Sequence, residues 1–184
     1  MSKIGCDNFY YAPLTKDDST GVTYGAPVRI PGLMTINVQP ASSNATLYAD
    51  NGPAETASSL GKITVSLETK DLPLEHQAAL LGHTVTAGVM VSKTTDVAPY
   101  VAILFQSQKG SGGIIYKKYL KTRFSDPQDN NATKGENVTF QTPTITGEAV
   151  AREFDKEWKR EADTEAKDYV ATTGTSWFTS VEPA

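Results

Sequence analysis

Cysteine occurs once in the 184 residues, at Cys6, so no intramolecular disulfide can form and nothing in the chain calls for an oxidising compartment. Histidine is nearly as scarce, with His76 and His83 alone, which leaves little general-base capacity beyond carboxylates. No stretch approaches the ~18 apolar residues of a membrane span. The opening MSKIGCDNFYY has no apolar run of signal-peptide length, so a soluble protein made in a cytoplasm is expected, with no membrane partner. A phosphate loop is missing, because Gly52 lies too far from the Gly61-Lys62 pair to form one. A nucleophile elbow, a Cys-x-x-Cys pair and a His-Glu-x-x-His helix are missing as well, so neither enzyme nor cofactor chemistry is expected. The 17 basic and 21 acidic residues are interspersed, which excludes a polybasic arm or an acidic tail.

What the chain does have is period-two alternation. Ile63, Val65 and Leu67 point one way while Lys62, Thr64, Ser66 and Glu68 point the other, as in a half-buried strand. Similar signals run through Phe9 to Ala12, Met34 to Val38, Thr46 to Ala49, Val89 to Ser92, Tyr100 to Gln106, Ile114 to Phe124 and Val138 to Val150. The class is mainly β. Glycines in SQKGSGG, between the Tyr100 and Ile114 runs, predict an antiparallel hairpin there. One segment breaks the alternation: Asp71 as cap, Pro73 in the first turn, Leu74, Ala78 and Leu81 at helical spacing, and Gly82 as stop predict a short helix. A chain of this size buries about 70% of its unfolded surface, and no repeat or linker divides it. One domain over residues 1–160 is expected, with 161–184 as a C-terminal extension that lies over it or reaches a neighbour.

Several constellations bear on function. His76 and His83, seven apart, are candidates for metal, but no third ligand accompanies them, and a cation at a helix C-terminus already explains His83. The acidic run SDPQDNNATKGE, Ser125 to Glu136, misses calcium-loop spacing and reads as a solvated loop. The sequons at Asn44, Asn131 and Asn137 read as Thr-rich β sequence. In IIYKKYLKTRF, strict alternation puts Lys117, Tyr119, Lys121 and Arg123 on one face, a basic strand face that suits acidic groups of its own chain or a neighbour better than nucleic acid. A carbohydrate platform would have to be built from Tyr10, Tyr11, Tyr116 and Tyr119.

The segment ATLYADNGPAETASSLGKITVSL, Ala45 to Leu67, resembles the siphophage major tail protein family. So do DLPLEHQAALLGH (Asp71 to His83), DVAPYVAILFQS (Asp96 to Ser107), FSDPQDNNATKGENVTFQTPTITGEAV (Phe124 to Val150) and the start from Asn8 to Gly32. The resemblance covers nearly the whole chain in order. It implies a β-sandwich of antiparallel strands with one short flanking helix, like a phage tail tube. It also implies a structural virion protein made in the bacterial host cytoplasm. Such subunits form hexameric rings stacked into a hollow tube, with tape-measure and other tail proteins as partners, and phage DNA passes down the lumen without specific binding. A six-fold ring needs two different complementary surfaces on each subunit. The span from Gln39 to Gly61 reads as a long polar loop with apolar anchors, so Leu47, Tyr48, Asp50, Gly52, Pro53 and Leu60 are the expected intersubunit contacts. A head, decoration or tail-terminator protein is the nearest alternative, and a carbohydrate-binding β-sandwich a more distant one.

Overall fold

A computed structural model describes residues 2–49, 51–129, 131–133 and 140–182. Its elements are β1 (Lys3–Asp18), β2 (Gly21–Tyr24), β3 (Val28–Arg29), β4 (Leu33–Ala49), β5 (Gly52–Thr69), α1 (Leu74–Leu81), β6 (Thr84–Thr86), β7 (Val89–Val91), β8 (Val101–Lys109), β9 (Ile114–Ser125), β10 (Thr144–Ala149), β11 (Lys159–Asp163) and α2 (Ala171–Ser176). The main sheet runs β2-β1-β8-β9-β10-β5-β4, with β3 added to β1 and β11 to β9, and every pairing in it is antiparallel. It curls until β4 approaches β1, where Cys6 Sγ lies 3.7 Å from the Met34 carbonyl, giving a sandwich-like, mainly β fold. No described helix is long and apolar enough to cross a membrane.

The two faces of β8 explain the layering. Val101, Ile103 and Phe105 point into the larger core with Phe9, Leu67, Tyr119 and Phe124, while Ala102 and Leu104 point into a second core with Ala12, Leu120 and Val181. A strand covered on both faces reads as a continuous apolar run, which is what VAILF is. The alternation at β5 holds as expected: Ile63, Val65 and Leu67 are buried. The β8–β9 hairpin also forms as expected.

Helix α1 closes the larger core with Ala78, Leu80 and Leu81, whereas Leu74 stays exposed, so the buried stripe differs by one position from the expected one. Asp71 does not cap it. Pro73 holds the N-cap position with no side-chain bond, and the Pro73 carbonyl accepts from Gln77 N–H at 3.0 Å. Gly82 ends the helix at φ +78, a left-handed conformation that favours glycine, and a Cβ there would run into the Val97 carbonyl.

The chain around residue 140 departs from expectation. Strand β10 begins only at Thr144, Phe140 is 87% exposed, and Val138 lies outside the described residues. Beyond Arg152, β11 adds to β9, a second short helix forms, and Trp177 and Val181 bury themselves, so the C-terminal segment is a strap over the second core.

Arg152 fastens that strap. Its side chain has no exposed surface, and its guanidinium pairs with Asp155, with Glu157 at 3.1 Å and with Glu182, while donating to Tyr24 Oη at 3.3 Å. Burial opposes its charge, but the bonds to Asp155, Tyr24 and Glu182 outweigh it and hold the group firmly protonated.

Candidate assembly surfaces

The span expected to be a loop is instead the outer half of a β-hairpin. From Pro40↔Ile63 to Ala49↔Gly52 the ladder of β4 and β5 continues beyond the sheet, with irregularities at Ala41 and beside Tyr48. Asn51 sits in the turn at φ +64, and Asp50 and the Pro53 side chain lie outside the described residues. Leu47 (60%), Tyr48 (71%) and Leu60 (50%) are exposed. Leu47 faces Glu55 across the ladder, Gly52 pairs with Ala49, and Leu60 pairs with Ser42. Since Leu47 and Tyr48 are consecutive, they emerge on opposite faces, so both sides of the ribbon carry apolar groups. A two-stranded ribbon open to water on both faces is marginal by itself. Between Ala41 and Gly61 the only charges are acidic, Asp50 and Glu55.

The basic strand face is not one face. Tyr119 and Phe124 share the larger core although an odd number of positions separates them, because the β8–β9 register slips between Ile103↔Tyr119 and Val101↔Thr122. That bulge inverts the alternation. Lys117 therefore lies near the Phe105 ring on one side, 5.9 Å from its centroid, while Lys121 and Arg123 turn to the Tyr100 ring on the other, at 5.0 and 3.9 Å. Lys121 also donates to Asp17 at 2.6 Å. Lys118 is buried, donates to the carbonyls of Ser180 and Val181 at 2.7 and 3.0 Å, and sits over Trp177 at 4.5 Å. Burial pushes its ammonium down to about 8. Lys118 and Lys121 are thus paired within the chain, and the cations of β9 do not line up along one face.

A family model for the phage tail tube protein matches residues 16–174, most of the chain. The chain belongs to the phage tail tube protein family. No curated protein matches it. A tail tube protein is structural, not enzymatic; it belongs in the tail of the virion and assembles there with other tail proteins as a tube.

The remaining candidates of this tube protein resolve into fold chemistry. Tyr11 and Tyr119 are buried in the larger core, whereas Tyr10 stacks on Phe178 at 4.9 Å and Tyr116 lies against Trp177 at 5.7 Å, so the four tyrosines form no common exposed platform. His76 Nδ1 lies 3.3 Å from Tyr11 Oη. His83 has other neighbours: Nδ1 is 2.9 Å from Asp96 and Nε2 is 2.9 Å from Asp126. In the acidic run, Asp126 is therefore engaged, Asp129 accepts from Asn131 at 2.8 Å, and Asn130 and residues 134–136 lie outside the described residues, as does the sequon Asn137.

Hydrogen bonds to Asp126 and then Asp96 raise the His83 pKa above its ordinary value, against a smaller opposing effect of burial. A raised folded pKa stabilises fully below the unfolded value of about 6.5 and is lost as pH climbs through the folded one. The Tm gap between wild type and His83→Gln is therefore expected to be widest between about pH 5 and 6 and to shrink steadily above that. Calorimetry across pH 5 to 9 measures it, and a gap that widens with pH contradicts the pairing of His83 with Asp96 and Asp126.

Proposed function

We propose that this tube protein is the major tail tube subunit. It assembles as hexameric rings that stack into a hollow tube, built alongside a tape-measure protein in the bacterial cytoplasm, through which phage DNA leaves. The observation that carries this reading is the β4–β5 arm, a ribbon with Leu47, Tyr48 and Leu60 exposed and no cover from its own sheet. Head-to-tail rings require each subunit to offer an element that its neighbour completes, and the arm is such an element. Residues 1–160 serve as the tube domain, and 161–184, strapped down through Arg152, as its C-terminal extension.

The purified protein is expected to form rings or tubes one hexamer wide under negative stain, and sedimentation should show the matching large species. Those tubes should bind DNA weakly at moderate salt. A handful of phosphate contacts would hold DNA with dissociation constants of ~10⁻⁴ to 10⁻⁶ M, and a tube repeats any such site in every ring. The 21 acids against 17 bases suit a lining that repels phosphate. A strictly monomeric protein at high concentration overturns the assembly. A tube that binds DNA with a steep salt dependence overturns the passive lumen.

A further inference from the structure

Between β1, β4, β8 and β9 lies a cavity of about 220 Å³ with Lys3 and Lys117 at its wall, beside Asn37, Val38, Phe105 and Tyr119. It is smaller than the roughly 300–1,000 Å³ of small-molecule sites, and it suits one or two protein side chains. Lys117 stands apart from the other lysines withdrawn from solvent. Lys109 pairs with Asp163 and Glu165, Lys118 with two carbonyls, Lys121 with Asp17 and Lys159 with Glu161. Lys117 pairs with no carboxylate among the described residues, since Glu161, its cross-strand neighbour, is engaged by Lys159. Burial, and after it the adjacent Lys3 ammonium, push Lys117 down to about 8. Two like charges sharing a half-buried site are unfavourable until an anion joins them.

We propose that this cavity is the socket for the β4–β5 arm of a second copy of the chain, with Glu55 as the carboxylate that enters it and Leu47 beside it. This rests on the assembly reading above. The chemistry matches on both counts: Leu47 and Glu55 form one cross-strand pair, an apolar group next to an acid, and the cavity sets Val38 and Phe105 next to two ammoniums. The arm carries only acidic charge, so the field around the socket draws it in and fixes its register. The arm of the same chain cannot be the occupant. Val38 lines the cavity, and Leu47 lies nine residues further along the same strand, about 30 Å away at ~3.4 Å per residue. The contact is therefore head-to-tail, arm into the next socket, and it leaves one free arm and one free socket at the ends of any open stack.

Charge exchange tests it, with tube yield read by sedimentation and negative stain, and folding by circular dichroism. Glu55→Lys and Lys117→Glu should each lower tube yield roughly tenfold or more, and the double exchange should restore it. Either single variant assembling like wild type overturns the socket, as does a folded double variant that stays unassembled. If Lys117→Glu does not fold, Lys117→Gln with Glu55→Gln replaces it: non-additive losses support the contact, and additive losses overturn it. A wild-type chain that never assembles brings down the assembly reading, and the socket with it.

Discussion

Joining Ser42 to Leu60 through a two-residue turn, which removes the arm from Ser43 to Ser59, yields a folded protein that no longer forms tubes. Ser42 and Leu60 are cross-strand partners, so the shortened hairpin closes in the native register. Apart from half-buried Gly52, the residues lost on either side of the turn are exposed wherever their burial is described, so the Tm should stay within a few degrees of wild type. Assembly should respond far more strongly. Burying Leu47 and Tyr48 against a neighbour stabilises the contact by about 1.5–3 kcal/mol each. Part of that is offset by the ordering that association costs. A hundredfold rise in the concentration needed for tubes corresponds to about 2.7 kcal/mol, well inside the range. Circular dichroism and particle counting report separately on fold and assembly, and intact tubes from the shortened chain would remove the arm from the mechanism.

Arg152→Ala is expected to be the most damaging single substitution for the fold. Arg152 is the largest fully buried side chain among the described residues, and three carboxylates converge on it. Removing one member of a buried ionic cluster leaves the others without a partner, a cost of about 3–5 kcal/mol. Glu157 and Glu182 keep partial contact with water, so the lower end, about 3 kcal/mol, is expected, or roughly 6–12 °C in Tm for a chain of this size. Arg152→Lys should recover only part, because an ammonium cannot reproduce a planar fork shared among several carboxylates. Acid should weaken the same cluster. Burial alone would raise Asp155, but its bonds from Arg152 and the Glu157 N–H hold its carboxyl below the ordinary range. A depressed folded pKa gives stability that is present above the unfolded pKa of about 3.9 and lost as pH falls through the folded one. Thermal melts at neutral pH and near pH 3 test both statements, and a Tm shift below about 2 °C for Arg152→Ala contradicts them.

Local chemistry was legible where one face of an element is wet and the other dry. The alternation of Lys62 to Glu68, the apolar run of β8 and the glycines before Ile114 all act within a few residues, and each formed as expected. The arm was hidden for the opposite reason. Thr46 to Ala49 carried a strand signal that the structure bears out, but the other alanines, serines and threonines of the arm, with water on both faces, show no sustained alternation and read as a loop. The split of the basic strand could not be read either, because a bulge is one extra residue in a ladder and leaves no mark in composition. Neither could the buried place of Arg152, whose partners come from positions 24, 155, 157 and 182. Charged residues crowd that stretch of sequence, and only the tertiary fold reveals which of them is enclosed.

The order of the strands also sets a schedule. The arm joins neighbouring strands β4 and β5 and can close within microseconds of leaving the ribosome. The edge of β1 from Lys3 to Pro13 waits for β8, whose last paired residue is Lys109, a delay of about 5–20 s at the usual pace of synthesis. The socket waits longer, because Lys3 reaches Lys117 only after β9 has been made. Each chain therefore carries its acidic arm before it has its own socket, and arms of like charge repel one another. A subunit can receive a neighbour's arm only once its own sheet is complete.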